Sequence, residues 1–198
     1  MSHFTVLVLG DNIEEQLDRY WEERSVPEYI SRKRSDEWAD IVQRAKEYYA
    51  ERGSTMEKLA AESWSHLELL KAYTEEDWRP RPNDEPGYHC WTTYNPDSKW
   101  DWYEVGGRWD KAVLVTKNGE KVNSCKLYEL DVDMSFVHGA THALVKDGEW
   151  YERGRMGWFA TVSDAMSEEE WDAKALQMIK DAEAADPNQT ITLVDCHI

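Results

Sequence analysis

The chain has 198 residues and a formal net charge of −17 at pH 7. This length supports one domain with a buried core. The negative charge disfavours direct binding to DNA or RNA because phosphates are repelled, but it is compatible with plain solubility, with a cation site or with an acidic surface that imitates nucleic acid. The sequence has no apolar run of roughly 18 residues, so no membrane partner is expected.

The N-terminus and the cysteines predict the compartment. Residues 1–10 lack the basic region and cleavage site of a signal peptide and are typical of a strand. Cys90, Cys125 and Cys196 form no CxxC pair and are expected to be buried, inert thiols. Both features favour a cytoplasmic protein, where thiols stay reduced.

The first part of the chain has the pattern of one strand followed by helices. Residues 4–9 are a continuous apolar run, which predicts a strand covered on both faces. Apolar residues at helical spacing predict helices over 13–23 and 35–52, and a capping box at 54–57 predicts a third helix. Residues 13–73 are therefore a predicted helical segment.

The second part has the pattern of hairpin-linked strands. A loop with three prolines covers 79–87. Asn118-Gly119 and Asp147-Gly148 are signals for two-residue hairpin turns. A capping box at 167–170 opens a predicted helix. The predicted strands cover residues 88–94, 109–116, 141–146, 149–153, 158–162 and 190–196.

This order of elements predicts an α+β fold for a single domain over 1–198. We expect a mostly antiparallel sheet with helices on one face, and the region 88–198 to be mainly β with one helix before the last strand. The first and last strands are the most apolar, so we expect them at the centre of the sheet. A ferredoxin-like arrangement is one form that this order permits.

The stretch from Lys99 to Trp109 is the strongest candidate for a binding site. Its aromatic rings can stack on a base or sugar. The backbone around its double glycine can form an anion-binding nest, and its arginine can add a bidentate contact. The predicted ligand-binding residues are Lys99, Trp100, Trp102, Tyr103, Gly106, Gly107, Arg108 and Trp109. In the alternative interpretation, Arg108 pairs with Asp101 or Glu104 and the tryptophans are core.

Histidines at the two ends of the chain offer a second candidate site. Asp195 and His197 are two residues apart and share one face of the last strand. If the first and last strands are neighbours, His3 converges on them. Such a group could hold a divalent metal ion for hydrolysis, although a histidine hydrogen-bonded to a carboxylate is the more frequent arrangement. No recognisable motif assigns a catalytic residue, and no cofactor is expected.

Four segments together resemble one protein family. They are SHFTVLV at residues 2–8, NPDSKWDWYEVGGRW at 95–109, the segment from DGEWY at 147–151 to MGW at 156–158, and DCHI at 195–198. The family is carried by bacteriophages and bacterial genomes, and the similarity covers the first dozen residues and most of 88–198. It implies a phage-type accessory protein in the bacterial cytoplasm. Such proteins often act against host defences, some by sequestering nucleotide signals and some by imitating DNA.

These observations favour a non-enzymatic protein that binds a small anionic ligand, such as a nucleotide signal, at the Lys99–Trp109 stretch. Two alternatives stay open. One is a metal-dependent hydrolase that uses His3, Asp195 and His197. The other is an acidic inhibitor that imitates nucleic acid and binds a host protein.

Overall fold

The computed structural model describes residues 2–34, 38–52, 62–80, 88–135, 141–156 and 161–198. The α+β class predicted from the sequence is confirmed. The chain forms two compact units where the sequence analysis treats 1–198 as one domain: Met1–Arg24 joins Asn95–Ile198 in the first, and Ser25–Tyr94 forms the second. Among the described helices, none combines the length and apolar character that a membrane crossing requires.

The elements are as follows, in chain order. The strands are β1 (His3–Leu9), β2 (Tyr29–Arg34), β3 (Asp77–Pro80), β4 (Tyr88–Thr92), β5 (Trp102–Val105), β6 (Leu114–Val115), β7 (Lys121–Val122), β8 (Ser124–Lys126), β9 (Ala143–Lys146), β10 (Glu149–Glu152), β11 (Arg155–Met156), β12 (Val162–Ser163) and β13 (Thr190–His197). The α-helices are α1 (Ile13–Asp18), α2 (Trp38–Glu51), α3 (His66–Thr74), α4 (Val132–Ser135) and α5 (Glu168–Ala185). Short 3₁₀ helices cover Gly107–Trp109 and Leu127–Glu129.

The first unit is built on a sheet with β1 and β13 at its centre. The strand order is β10-β9-β1-β13-β5, and β8 also pairs with β13. The two central strands are antiparallel over their whole length, from His3 opposite His197 to Leu9 opposite Ile191. β1 pairs with β9 in parallel, while the other pairs of this sheet are antiparallel. The predicted central position of the first and last strands is confirmed.

Both faces of this sheet are covered, which explains why its central strands are apolar throughout. On one face, Leu7 and Leu193 pack with Trp171 and Ile179 of the long helix α5. On the opposite face, the apolar residues of the central strands pack with Leu17 of α1, Tyr20 and Trp100. These strand residues are Phe4, Val6, Val8, Val194 and Cys196. The prediction that the helices lie on one face is therefore wrong: α5 covers one face and α1 the other, where Tyr20 and Trp100 complete the layer because α1 is short.

The face that carries α5 changes from apolar to polar along the central strands. Leu7 and Leu193 are fully buried in the core. Toward the start of β1 and the end of β13, the same face continues with Thr5, Asp195 and His197. These polar residues are themselves buried, so the fold places hydrogen-bonding groups at one end of its main core.

The two hairpin turns form where the sequence predicts them. Gly119, between β6 and β7, has a φ of 80°. Asp147 and Gly148, between β9 and β10, have φ values of 53° and 74°. The predicted strand over 109–116 is wrong at its start, because a 3₁₀ turn occupies Gly107–Trp109 and the strand covers only Leu114–Val115.

The first predicted helix is also shorter than expected. It ends at Asp18 and not near residue 23. The buried Asn95 side chain explains this end, since its Nδ2 donates to the carbonyl oxygens of Arg19 and Trp21, both at 2.8 Å. Because these carbonyl oxygens accept hydrogen bonds from a side chain, they are not available to backbone N–H groups further along, and the helix does not continue.

The second unit contains a three-stranded sheet, β2-β4-β3, together with α2 and α3. Its core is Val42, Ala45, Leu69, Trp78 and Cys90. The predicted helical segment 13–73 is therefore interrupted by β2. Residues 79 and 80 of the predicted loop belong to β3. The structure does not describe residues 81–87, the capping box at 54–57 or residues 158–160 of the predicted strand 158–162.

Candidate functional site

The predicted binding stretch does not form one surface. Trp102 lies opposite His197 on β13, whereas Tyr103 lies opposite Cys196 and points to the other face. Trp100 is buried on that other face, with its ring centroid 5.1 Å from that of Tyr103. A small ligand on one face can therefore contact only part of this stretch.

Two of the three backbone N–H groups of the Gly-Gly-Arg turn donate within the protein. The Gly106 N–H donates to the Leu193 carbonyl at 2.9 Å. The Arg108 N–H donates to Asp195 Oδ2 at 2.8 Å. The anion bound at this turn is thus the carboxylate of Asp195, which is 2% exposed. The Arg108 guanidinium is exposed and has no partner among the described residues, so the alternative pairing with Asp101 or Glu104 is not formed.

The histidines predicted to converge do meet at the end of the central strands, but in two separate pairs. His3 Nδ1 lies 3.0 Å from Asp195 Oδ1, and His197 Nδ1 lies 2.7 Å from Asp101 Oδ1. The centroids of the two imidazoles are 5.0 Å apart. The indole of Trp102 stacks on His197 at 5.2 Å. We call these five residues the polar cluster.

The polar cluster shows no metal-binding geometry. Each Nδ1 is directed at a carboxylate, and Asp195 also accepts the Arg108 N–H. Within the described ranges, no three histidine, cysteine, aspartate or glutamate side chains are placed to hold a metal ion. The structure therefore adds no support to the metal-dependent alternative.

A pocket of about 290 Å³ adjoins the polar cluster. Thr5 connects them, because it lines the pocket and lies opposite Asp195 across the central strands. The pocket is lined by Phe4, Thr5, Trp109, Ala112, Val113, Thr141, His142 and Arg153. We call it the Thr5 pocket.

Two polar atoms of the Thr5 pocket are buried without a partner. They are Thr141 Oγ1 and His142 Nε2, which have no hydrogen bond among the described residues. Burial is the main cause that lowers the pKa of His142; Arg153 and Lys99 lower it further, and Glu152 opposes them. The imidazole is therefore neutral near pH 7. Orphaned polar atoms of this kind are exceptional in folded proteins and indicate a missing partner.

A second pocket, of about 370 Å³, lies on the opposite face of the sheet. Its charged residues are Lys99, Glu152 and Arg155, and its largest ring is Trp150. Glu152 accepts from Lys99 Nζ at 2.8 Å and from Trp150 Nε1 at 2.9 Å. The exposed Arg155 guanidinium has no partner among the residues that the structure describes. We call this site the Lys99 pocket.

The sequence analysis identified some of these residues and missed others. Of the eight predicted binding residues, Lys99 lines one pocket and Trp109 lines the other. The role of Asp101 as the partner of His197 was missed, because nothing in the sequence places residue 101 beside residue 197.

The cysteines occupy none of these sites as reactive groups. All three are free and buried. Burial raises the pKa of Cys125 to about 11 and raises that of Cys196 well above its ordinary value. This burial is consistent with the prediction that the three thiols are inert.

Comparison with protein-family models, with curated proteins and with solved structures gives no match for this chain.

Proposed function

We propose that the protein binds a small anionic molecule with a planar ring, such as a nucleotide, in the Lys99 pocket. The observation that carries this proposal is the guanidinium of Arg155. It has no partner among the described residues, and it shares a pocket with Lys99 and the indole of Trp150. An arginine fork binds a phosphate or carboxylate, and an indole stacks on a planar ring.

The charge of the Lys99 pocket supports an anionic ligand. Lys99 and Glu152 form an ion pair, so the unpaired charge among the side chains of the lining is the positive charge of Arg155, in a chain of net charge −17. The local field therefore favours an anion although the whole chain repels one. The volume of about 370 Å³ falls in the range of small-molecule sites, roughly 300–1,000 Å³.

This proposal keeps the predicted class of ligand and changes its position. The sequence analysis placed the ligand on the Lys99–Trp109 stretch, where the Leu193 carbonyl and the Asp195 carboxylate accept the N–H groups of Gly106 and Arg108. Lys99 is the member of the predicted stretch that lines the new position. Sequestration of a nucleotide signal by a phage-type accessory protein in bacterial cytoplasm is part of the proposal, supported by the family resemblance alone.

Calorimetric titration with AMP, ATP and inorganic phosphate tests the proposal. We expect Arg155→Ala to weaken AMP and ATP binding at least tenfold, because the unpaired fork is lost. Arg108→Ala is the matched control, since it also removes an exposed, unpaired guanidinium but on the other face. Trp150→Leu should weaken both nucleotides and leave inorganic phosphate, which has no ring, unaffected.

Three results would contradict the proposal. If the protein binds neither AMP, ATP nor inorganic phosphate, the proposal of an anionic ligand is wrong. Loss of binding in Arg108→Ala with retention in Arg155→Ala returns the site to the Gly-Gly-Arg turn. Equal effects of the two arginine variants indicate non-specific attraction to positive charge, in which case the affinity also falls steeply with added salt.

A further inference from the structure

Glu152 connects a lysine and a tryptophan of the Lys99 pocket. Its Oε1 accepts a hydrogen bond from Lys99 Nζ at 2.8 Å, and its Oε2 accepts one from Trp150 Nε1 at 2.9 Å. All three residues line the pocket. The side chains of Lys99 and Glu152 are only 28% and 20% exposed, so water screens their charges less than it does at an open surface. Glu152 therefore fixes the position of its two neighbours and places a negative charge inside the pocket.

The indole of Trp150 is held in one orientation by several contacts. Its ring N–H donates to Glu152, and its backbone N–H donates to the Tyr20 hydroxyl at 2.9 Å. The rings of Tyr20 and Phe4 pack against it, with centroid distances of 5.2 and 6.4 Å. A ring that is already fixed loses little conformational freedom when a ligand stacks on it. This arrangement supports a ligand with a planar ring.

The charges of the lining match a ligand with a single phosphate group. The charged side chains of the lining residues are Lys99, Glu152 and Arg155, and two positive charges with one negative charge leave one positive charge in excess. If Lys99 turned from Glu152 toward a phosphate, this excess would not change, because the carboxylate would stay in the pocket without its partner. A phosphate monoester carries about −1.5 to −2 at pH 7, so a single one already balances the excess.

A second or third phosphate group meets repulsion in this pocket. It adds negative charge to a lining whose positive excess is already balanced, and the Glu152 carboxylate is part of that lining. Coulomb interactions over a few ångströms are strong where water is partly excluded. The volume of about 370 Å³ also lies near the lower end of the range for small-molecule sites, roughly 300–1,000 Å³. Charge and size thus favour the smaller nucleotide.

We propose that the Lys99 pocket selects a nucleoside monophosphate over the triphosphate, and that Glu152 determines this selectivity. The inference rests on the proposed function and names the class of nucleotide that the same pocket binds. Discrimination of this kind comes from repulsion of the competing ligand as well as from attraction of the preferred one. Arg155 attracts the first phosphate group, and Glu152 repels additional ones.

Calorimetric titration with AMP and ATP in the presence of EDTA tests the inference, because EDTA removes magnesium ions that would neutralise the triphosphate. We expect the wild type to bind AMP about fivefold or more tightly than ATP. Glu152→Gln removes the negative charge, while its amide oxygen still accepts a hydrogen bond, so the preference for AMP should fall about threefold or more. The ratio of the two affinities is the quantity to compare, since a less firmly held Trp150 would weaken both ligands.

Glu149→Gln is the matched control. Glu149 lies on the same strand, β10, but it pairs with Arg19 at 3.2 Å and is not among the residues that line the Lys99 pocket. This substitution removes the same charge and should leave the ratio of the two affinities unchanged. Lys99→Met changes the ratio in the opposite direction, because Glu152 loses its partner and ATP binding should weaken more than AMP binding. Thermal melting verifies that each variant is folded.

The possible failures of the inference and of the proposed function are distinguishable. A wild-type protein that binds ATP as tightly as AMP would overturn the inference and leave the proposed function intact. The same ratio in wild type and Glu152→Gln, or an equal change in Glu152→Gln and Glu149→Gln, would overturn the role of Glu152. Absence of binding to both nucleotides contradicts the proposed function itself, and the inference with it.

Discussion

Gly107 lies so close to Asp195 that a Cβ atom on the glycine would come within 2.5 Å of the Asp195 Cβ. Its φ of 47° also belongs to the left-handed region. The glycine thus permits the close approach by which the next residue, Arg108, donates its N–H to the Asp195 carboxylate at 2.8 Å. The internal anion thus explains Gly107 and the N–H of Arg108, whereas Gly106 makes its close approach to the Asn123 side chain.

Gly107→Ala tests this close approach. We expect the free energy of unfolding to fall by about 2–4 kcal/mol, since the added methyl group collides with Asp195 in a strained backbone conformation. Gly119→Ala is the matched control. Gly119 also has a positive φ, of 80°, but nothing lies within 4 Å of its Cβ position, so only the backbone cost of about 1–2 kcal/mol is expected. Chemical denaturation measures both; equal losses would contradict the steric explanation.

Asn95→Ala tests the side chain that ends the first helix. Asn95 is 2% exposed, and its amide bonds the carbonyls of Arg19 and Trp21. Its Oδ1 also accepts the Asp97 N–H at 3.0 Å. Removing this amide takes three hydrogen bonds from partly buried backbone groups, and we expect a loss of about 1–3 kcal/mol. The exposed Asn188→Ala should change stability by less than about 0.5 kcal/mol, and a similar loss there would refute the assignment.

The pH dependence of stability tests the half-buried His142. Its pKa is lowered in the folded state, mainly by burial. The unfolded chain therefore binds this proton more readily, and stability falls as the pH drops below the ordinary histidine pKa of about 6.5. The slope from this residue is at most about 1.4 kcal/mol per pH unit. Unfolding of wild type and His142→Gln between pH 7.5 and 5 should show a shallower slope in the variant; identical slopes would exclude this contribution.

Thiol alkylation tests the burial of the cysteines. Since burial raises the pKa of Cys125 to about 11 and raises that of Cys196 well above its ordinary value, neither forms an appreciable fraction of thiolate near pH 7.5. We expect iodoacetamide to label them in the folded protein at least 100-fold more slowly than in the denatured chain, as measured by mass spectrometry. Rapid labelling of Cys196 in the folded state would contradict its burial between the central strands and their neighbours.

Much of the local structure was predictable because its causes are local. The apolar runs at residues 4–9 and 190–196 predict two buried strands, and the structure places both at the centre of the sheet. Asp147-Gly148 forms its turn because both residues tolerate a positive φ. The capping box at 167–170 is formed by Ser167 and Glu170, which bond each other's backbone N–H groups.

Other features depend on residues far apart in the chain. The helix that begins at Ile13 ends early because Asn95, which is remote in sequence, donates hydrogen bonds to the carbonyl oxygens of Arg19 and Trp21. The capping box at Ser65 and Glu68 is different, because its S-x-x-E spacing is local and the sequence analysis missed a signal that was present. A hydrogen bond from a distant side chain leaves no periodic signal, so pattern analysis cannot detect it.

The sequence by itself determined the α+β class, the buried first and last strands and the unusual composition of Lys99–Trp109. Only the tertiary structure decided how that stretch is used. Strand alternation sends Trp102 and Tyr103 to opposite faces, the register of β1 and β13 brings His3 beside Asp195, and Lys99 turns to a pocket with Arg155. The physical reason is that strand propensity and burial are properties of neighbouring residues, whereas a site requires side chains from separate strands to meet on one face.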